Sequence, residues 1–351
     1  MKKKTALLFL LAAINALAAP GWAAGTAAQA PGALAAPGQI AAADKDLLEL
    51  LPRSTIGVLV LNLKRALVVD AIAEAMQELK FKAAYDEFIK MSGVDLKRDV
   101  AYIGVGVPAL DGAGRFSMSP SESGPRKFGI IVNLKYDQDR ILSLIKEKTP
   151  AAKEETYEGI TIYSNLDGRD TQATPAGPSD MGKLGFQAAF LDASHIVLGN
   201  DVQSIKDIID VYRKKTEPLA MNTEMTALWD RVDKSGVAWS AVSYPPEQAK
   251  MFADANPLFK AIEGFKGMIT AIDDKDSTLV VDVRTLGGTK EQNAAFATNL
   301  DGIKAVGALY AAKEPALAEL LNGVAITSGE DYTRLTVTLS HEAMGALYRL
   351  A

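Results

Sequence analysis

Apolar positions along this chain alternate between two periods. From 334 to 339 the odd positions are apolar and the even ones polar, the repeat of a strand whose two faces meet different surroundings. Runs at 56–61, 128–134, 195–199, 236–242 and 278–284 predict further strands. Between them the spacing lengthens to three and four. Leu47, Leu48, Leu50 and Leu51 predict a short helix before the strand at 56–61. Met225, Leu228, Trp229 and Val232 predict another before 236–242. Ile141, Leu142, Leu144 and Ile145 follow Asp137, a residue suited to capping a helix, and Val202, Ile205, Ile208, Ile209 and Tyr212 follow the strand at 195–199. Phe296, Leu300, Ile303, Gly307 and Tyr310 follow Thr289 and Gln292, whose spacing is that of a capping box. Ser340 is placed to cap a last helix carrying Met344 and Leu347.

These elements read as one plan used twice: a helix, a strand, a strand feeding a capped helix, and a closing strand that enters a helix. Polar turns at 273–276 and 328–331 join neighbouring strands as antiparallel hairpins. The predicted fold class is α+β: two tandem repeats, 44–216 and 217–351, each an antiparallel sheet with helices packed on one face and water on the other. The first repeat carries two extra loops, 108–126 and 167–183, rich in Gly, Ser and Pro. Their composition predicts loose segments rather than functional ones.

The N-terminus changes the picture by fixing a compartment. Lys2, Lys3 and Lys4, an apolar run over 6–13 and then small residues have the order of a secretory signal peptide, expected over 1–23 with cleavage after Ala18 or Ala23. The run is too short to span a bilayer, which takes about 20 residues. Residues 24–43, nearly all Ala, Gly, Pro and Gln, predict a flexible linker. The chain has no cysteine, which excludes disulfides, thiolate metal sites and a lipidated N-terminal cysteine. Its net charge is −5, and about −8 once the leader lysines are removed. That balance argues against nucleic acid and against an anionic lipid surface as partners. A periplasmic or secreted location is expected.

The pattern resembles DUF3352, a family of exported bacterial proteins of unknown function. The resemblance rests on Leu51-Pro52 with Ser54-Thr55, on Phe88 and Gly93-Val94-Asp95 with Asp99-Val100, and on the run Gly159 to Tyr163. Ala189 to Asp192 leading into Val197-Leu198-Gly199, and the closing strand with Ser340, add to it. It implies an exported tandem α+β protein and carries no catalytic residues with it.

Candidate chemistry is sparse, and each case has a plain structural reading. His195 and His341 belong to different repeats and are expected as two surface histidines, not a shared metal site. Asp273, Asp274 and Asp276 could hold Ca²⁺ but lack the Gly and distal Glu of an EF-hand and fit a hairpin turn. Gly104, Gly106, Pro108 and Ala109 echo a dinucleotide-binding turn without the helix it requires. Gly287, Gly288, Thr289 and Lys290 read as a strand-to-helix turn rather than a phosphate loop. Ser143 and Lys146 have the spacing of penicillin-interacting enzymes, but the companion elements are missing. Trp229, Trp239, Met251, Phe252, Phe259, Phe265 and Met268 could line a greasy pocket and are expected as core.

The expectation is therefore a non-catalytic envelope protein that binds or scaffolds, with no catalytic, cofactor or metal residues and no cofactor. Its partner would be an envelope protein or a hydrophobic ligand. Two alternatives stand beside it: a carrier of lipid or another apolar ligand, and a periplasmic hydrolase using carboxylates such as Glu154, Glu155 and Asp192.

Overall fold

A computed structural model describes residues 45–69, 79–108, 127–166, 187–247, 249–250, 264–311 and 315–343. The expected signal peptide, linker, long loops, and Met251, Phe252, Phe259, Met344 and Leu347 lie outside the described residues. Within them the chain divides into two compact units, with the boundary between 226 and 227 and with Val68 and Val69 grouped with the C-terminal part.

The N-terminal unit is built on seven antiparallel strands. These are β1 (Thr55–Leu61), β2 (Val100–Pro108), β3 (Gly129–Leu134), β4 (Lys153–Tyr157), β5 (Ile160–Ser164), β6 (Gln187–Phe190) and β7 (His195–Gly199). They lie in the order β1-β2-β3-β7-β6-β5-β4. Helix α1 covers 45–50, and α2 (Leu63–Ala66), α3 (Leu79–Ser92), α4 (Leu96–Asp99), α5 (Gln138–Lys148) and α6 (Val202–Tyr212) follow. Asp137 caps α5 through the Arg140 N–H, as its position predicts, and Asp201 caps α6 through that of Ser204.

Burial along β2 alternates strictly. Val100, Tyr102, Gly104 and Gly106 are buried, while Ala101, Ile103, Val105 and Val107 are half-buried. On the buried side the register aligns Gly106, Gly129 and Gly199 on three adjacent strands. A Cβ on Gly106 would lie 2.4 Å from Leu51, and one on Gly129 2.6 Å from Ile208 of α6. One on Gly104 would lie 2.2 Å from Leu47 of α1. These glycines let α1 and α6 settle onto the strands. The Gly104–Gly106 pair thus has a packing role, which agrees with setting aside the dinucleotide motif.

The C-terminal unit holds α7 (Thr223–Trp229, begun in the first unit), β8 (Ala238–Ser243), β9 (Phe265–Lys275), β10 (Thr278–Gly287), α8 (Lys290–Ala311), α9 (Pro315–Asn322), β11 (Val324–Ser328) and β12 (Tyr332–Ser340). Strand order is β11-β12-β10-β9-β8, again antiparallel. The capping box is present: Gln292 Oε1 accepts from Thr289 N–H, and Thr289 Oγ1 from Gln292 N–H. Ala311, Leu321 and Val324 form a core against which Ile326, Leu335 and Val337 pack. The period of β12 has the predicted sense, with Leu335 and Val337 on the helix side. The opposite side carries Thr336 and Thr338 and, on β10, Asp282 and Arg284.

Two expectations about faces are corrected. Ile303 does not share the buried stripe of α8; it is 39% exposed, with Val306 and Leu309 exposed beyond it. The helix turns 100° per residue, and Ile303 lies past the edge of the stripe set by Asn293, Phe296 and Ala311. In the N-terminal unit the side of β2 and β3 away from the glycines is aliphatic rather than polar.

Candidate functional site

A polar cluster in the N-terminal unit forms where three strands bring Tyr102, Asn133 and His195 into one cross-strand row, Tyr102 facing Asn133 and Asn133 facing His195. Asp46 of α1 comes down on that row. Its Oδ2 accepts from Tyr102 Oη at 3.3 Å and from Asn133 Nδ2 at 3.5 Å, and lies 3.6 Å from His195 Nε2. The β6–β7 turn closes the other side. Asp192 Oδ1 accepts from the N–H groups of Ser194 and His195, and the Asp192 carbonyl accepts from Tyr136 Oη.

The hydrogen bonds assign the imidazole. Asn133 Nδ2 is 2.8 Å from Nε2 and donates to it, so the ring proton sits on Nδ1, which donates to Asp192 Oδ2 at 2.9 Å. Burial pushes the Asp192 carboxyl upward, but the Ser194 N–H and the His195 ring outweigh it and hold the group below the usual carboxylate range. Burial, reinforced by the Asp46 charge, drives the Tyr102 phenol far above its ordinary value. Tyr136 is pushed up to about 12 by burial and by the Asp192 charge.

Ser194, His195 and Asp192 invite comparison with a nucleophilic triad, and the geometry differs. In such a relay the serine and the carboxylate bind opposite ring nitrogens. Here Ser194 Oγ, 3.2 Å from Nδ1, shares that nitrogen with Asp192 and donates to Asp192 Oδ1 at 2.9 Å. Nε2 is taken by Asn133. The arrangement fastens α1 and the β6–β7 turn to the sheet and does not activate Ser194.

The expectation of two surface histidines is corrected. His195 and His341 are in separate units, as predicted, but their side chains are only 13% and 14% exposed, and each is held by a carboxylate, His341 by Asp274. Asp273 pairs with Lys275 at 3.1 Å. Both aspartates lie within β9, and only Asp276 is in the turn. Among the described residues no group of three metal-ligating side chains occurs. Ser143 Oγ donates to the Asp139 carbonyl one turn back on exposed α5. Glu155 on the outermost strand β4 pairs with Lys206 at 2.5 Å, whereas Asp192 belongs to the His195 cluster. Trp229 and Trp239 are each 1% exposed, and Phe265 packs edge-on to Phe296 at 5.3 Å, as core residues do.

The motif Gly93 to Val100 also resolves into structure. Gly93 has φ +77° beside the Arg140 guanidinium, and Asp95 caps α4 through Lys97 N–H. Asp99 accepts from Asp95 N–H at 2.8 Å, and its hydrogen bonds from Arg98 hold its carboxyl down at about 2.

The aliphatic side of the N-terminal sheet escaped sequence reasoning. Leu59, Val105, Ile130 and Leu198 form a row across β1, β2, β3 and β7, all half-buried. A second row holds Ile103, Val132 and Ile196. The cavity described in this unit lies elsewhere and is polar, about 570 Å³ lined by Arg53, Ser54, Asn222, Thr223 and Glu224.

Residues 135–306 match the family model DUF3352, a protein family of unknown function, so the resemblance drawn from the motifs holds. No curated protein sequence matches the chain. Among solved structures it is similar to crystal form I of TP0453, at 8% identity and a TM-score of 0.42, covering 87% of this chain and 97% of that one. Crystal form III of TP0453 gives 10% identity and 0.43, covering 87% and 98%.

Proposed function

We propose that this is an exported, non-catalytic binding or scaffolding protein of the bacterial envelope, and that its working surface is the aliphatic side of the N-terminal sheet. The observation that carries this reading is the row Leu59–Val105–Ile130–Leu198, four half-buried aliphatic side chains at positions where a solvated strand face would be polar. A strand face is a broad surface. A small apolar ligand needs a concave site that buries about 70–90% of it. A broad face of this kind favours a protein surface as occupant over a carried lipid. The leader-like residues 1–23 support export, and no described helix is long and apolar enough to cross a membrane. The two units further suggest one duplicated plan: α1 leads to β1 as α7 leads to β8, and each unit has a strand feeding a capped helix.

A photo-crosslinking residue at position 105 tests this in intact cells. The expected result is a discrete protein adduct at 105 and none at Glu155 on β4. Equal labelling at both sites would refute the choice of face, and a lipid retained in native mass spectra of wild type but lost in Val105→Lys would establish the carrier alternative instead.

A further inference from the structure

The edge strands β4 and β11, one in each unit, are treated differently by the sequence. β4 carries Lys153, Glu154 and Glu155, all exposed. Charges of this kind are how natural sheets keep another chain from pairing with an edge. β11 reads Val-Ala-Ile-Thr-Ser, with no charge, no proline and an unbroken register to β12.

The hydrogen-bond pattern shows what β11 offers. Thr338 N–H donates to the Gly323 carbonyl, and the register pairs Ala325 with Thr336 and Thr327 with Arg334. Antiparallel pairs alternate, so Ala325 and Thr327 bond inward and the N–H and C=O groups of Val324, Ile326 and Ser328 point outward. Among the described residues these outward groups meet no partner.

We propose that β11 is a self-pairing edge, and that the occupant is β11 of a second copy, antiparallel about a twofold axis through Ile326. That register sets Ile326 against Ile326 and Val324 against Ser328 of the second copy, so every outward donor meets an outward acceptor. A C2 contact requires this self-complementarity. No like charges oppose one another in it. α8 packs over the same strand, its Ala311 lying against Val324. Its exposed flank of Ala294, Asp301 and Ala308, spaced seven apart and turned away from Ile303 and Val306, carries mostly the smallest side chain. Phe296, on the other side of the buried stripe, packs on Phe265 of β9, so this flank is turned toward β11.

The chain has no cysteine, so single cysteines report cleanly. Ala325 and Thr327 of opposite copies would form a non-hydrogen-bonded pair with Cα atoms about 4.5 Å apart, within disulfide reach. Light scattering on purified protein should give twice the chain mass. Oxidation should crosslink a mixture of Ala325→Cys and Thr327→Cys chains and neither alone. Ile326→Pro removes an N–H the chain's own sheet does not use, and should yield a monomer with unchanged circular dichroism. A monomeric wild type, crosslinks as strong in either variant alone, or a folded Ile326→Pro that stays dimeric would each overturn the proposal.

Discussion

Gly104 lies so close beneath Leu47 that a methyl group on it would approach the leucine Cδ2 to 2.2 Å. Leu47 is fully buried on a helix held against the sheet, so it has no room to retreat. Gly104→Ala should therefore lower stability by about 1–3 kcal/mol, the usual range for overpacking. Chemical denaturation measures it. Adding Leu47→Ala should recover part of the loss, giving a coupling that independent sites would not show.

Asp99 predicts a pH signature. Its folded carboxyl titrates at about 2, against about 3.9 in an unfolded chain. A depressed folded value stabilises the protein above the unfolded pKa, and the contribution fades as pH falls through the folded one. Asp99→Asn should melt below wild type at pH 7, with the gap closing between about pH 4 and pH 2. A gap independent of pH would mean that the carboxylate's charge contributes nothing.

Asp282 binds two guanidinium groups at once, with Nη2 of Arg284 and of Arg334 each 2.7 Å from its Oδ2 and both Nε groups directed to Oδ1. The carboxylate is 14% exposed. Removing it leaves two like charges side by side, whereas removing one arginine leaves the other pair whole. Asp282→Ala should cost about 2–3 kcal/mol and Arg334→Met under about 1. The reverse order in thermal melts would contradict this account.

His195→Phe should loosen α1 without unfolding the sheet, because it deletes the bond from Asn133 and the one to Asp192. Hydrogen exchange of the amides at 45–50 should quicken more than that of β3 or β7. Uniform quickening would point to general destabilisation.

Much of the fold was legible because its signals are local. Asp137, Thr289 with Gln292, and the alternation in β12 each act within a few residues, and each was found in place. The site was not legible for the opposite reason. Asp46, Tyr102, Asn133 and His195 are joined only by strand register, so His195 reads as a solvated residue until β3 and β7 are paired. The glycines were noticed for a wrong motif, since their role depends on Leu47 and Leu51 lying across them. The aliphatic side was hidden because β2 and β3 carry apolar residues or Gly on nearly every position. Such a run does not say which face water meets.

Trp229 and Trp239 give the C-terminal unit its own optical label. The third tryptophan of the chain, Trp22, lies in the leader-like residues 1–23. In protein prepared without residues 1–23, indole emission excited selectively should thus follow melting of residues 227–351 alone, while Tyr102, Tyr136 and Tyr163 belong to the other unit. Comparing indole emission with far-ultraviolet dichroism on one heating ramp would tell whether the two units lose structure together or in turn.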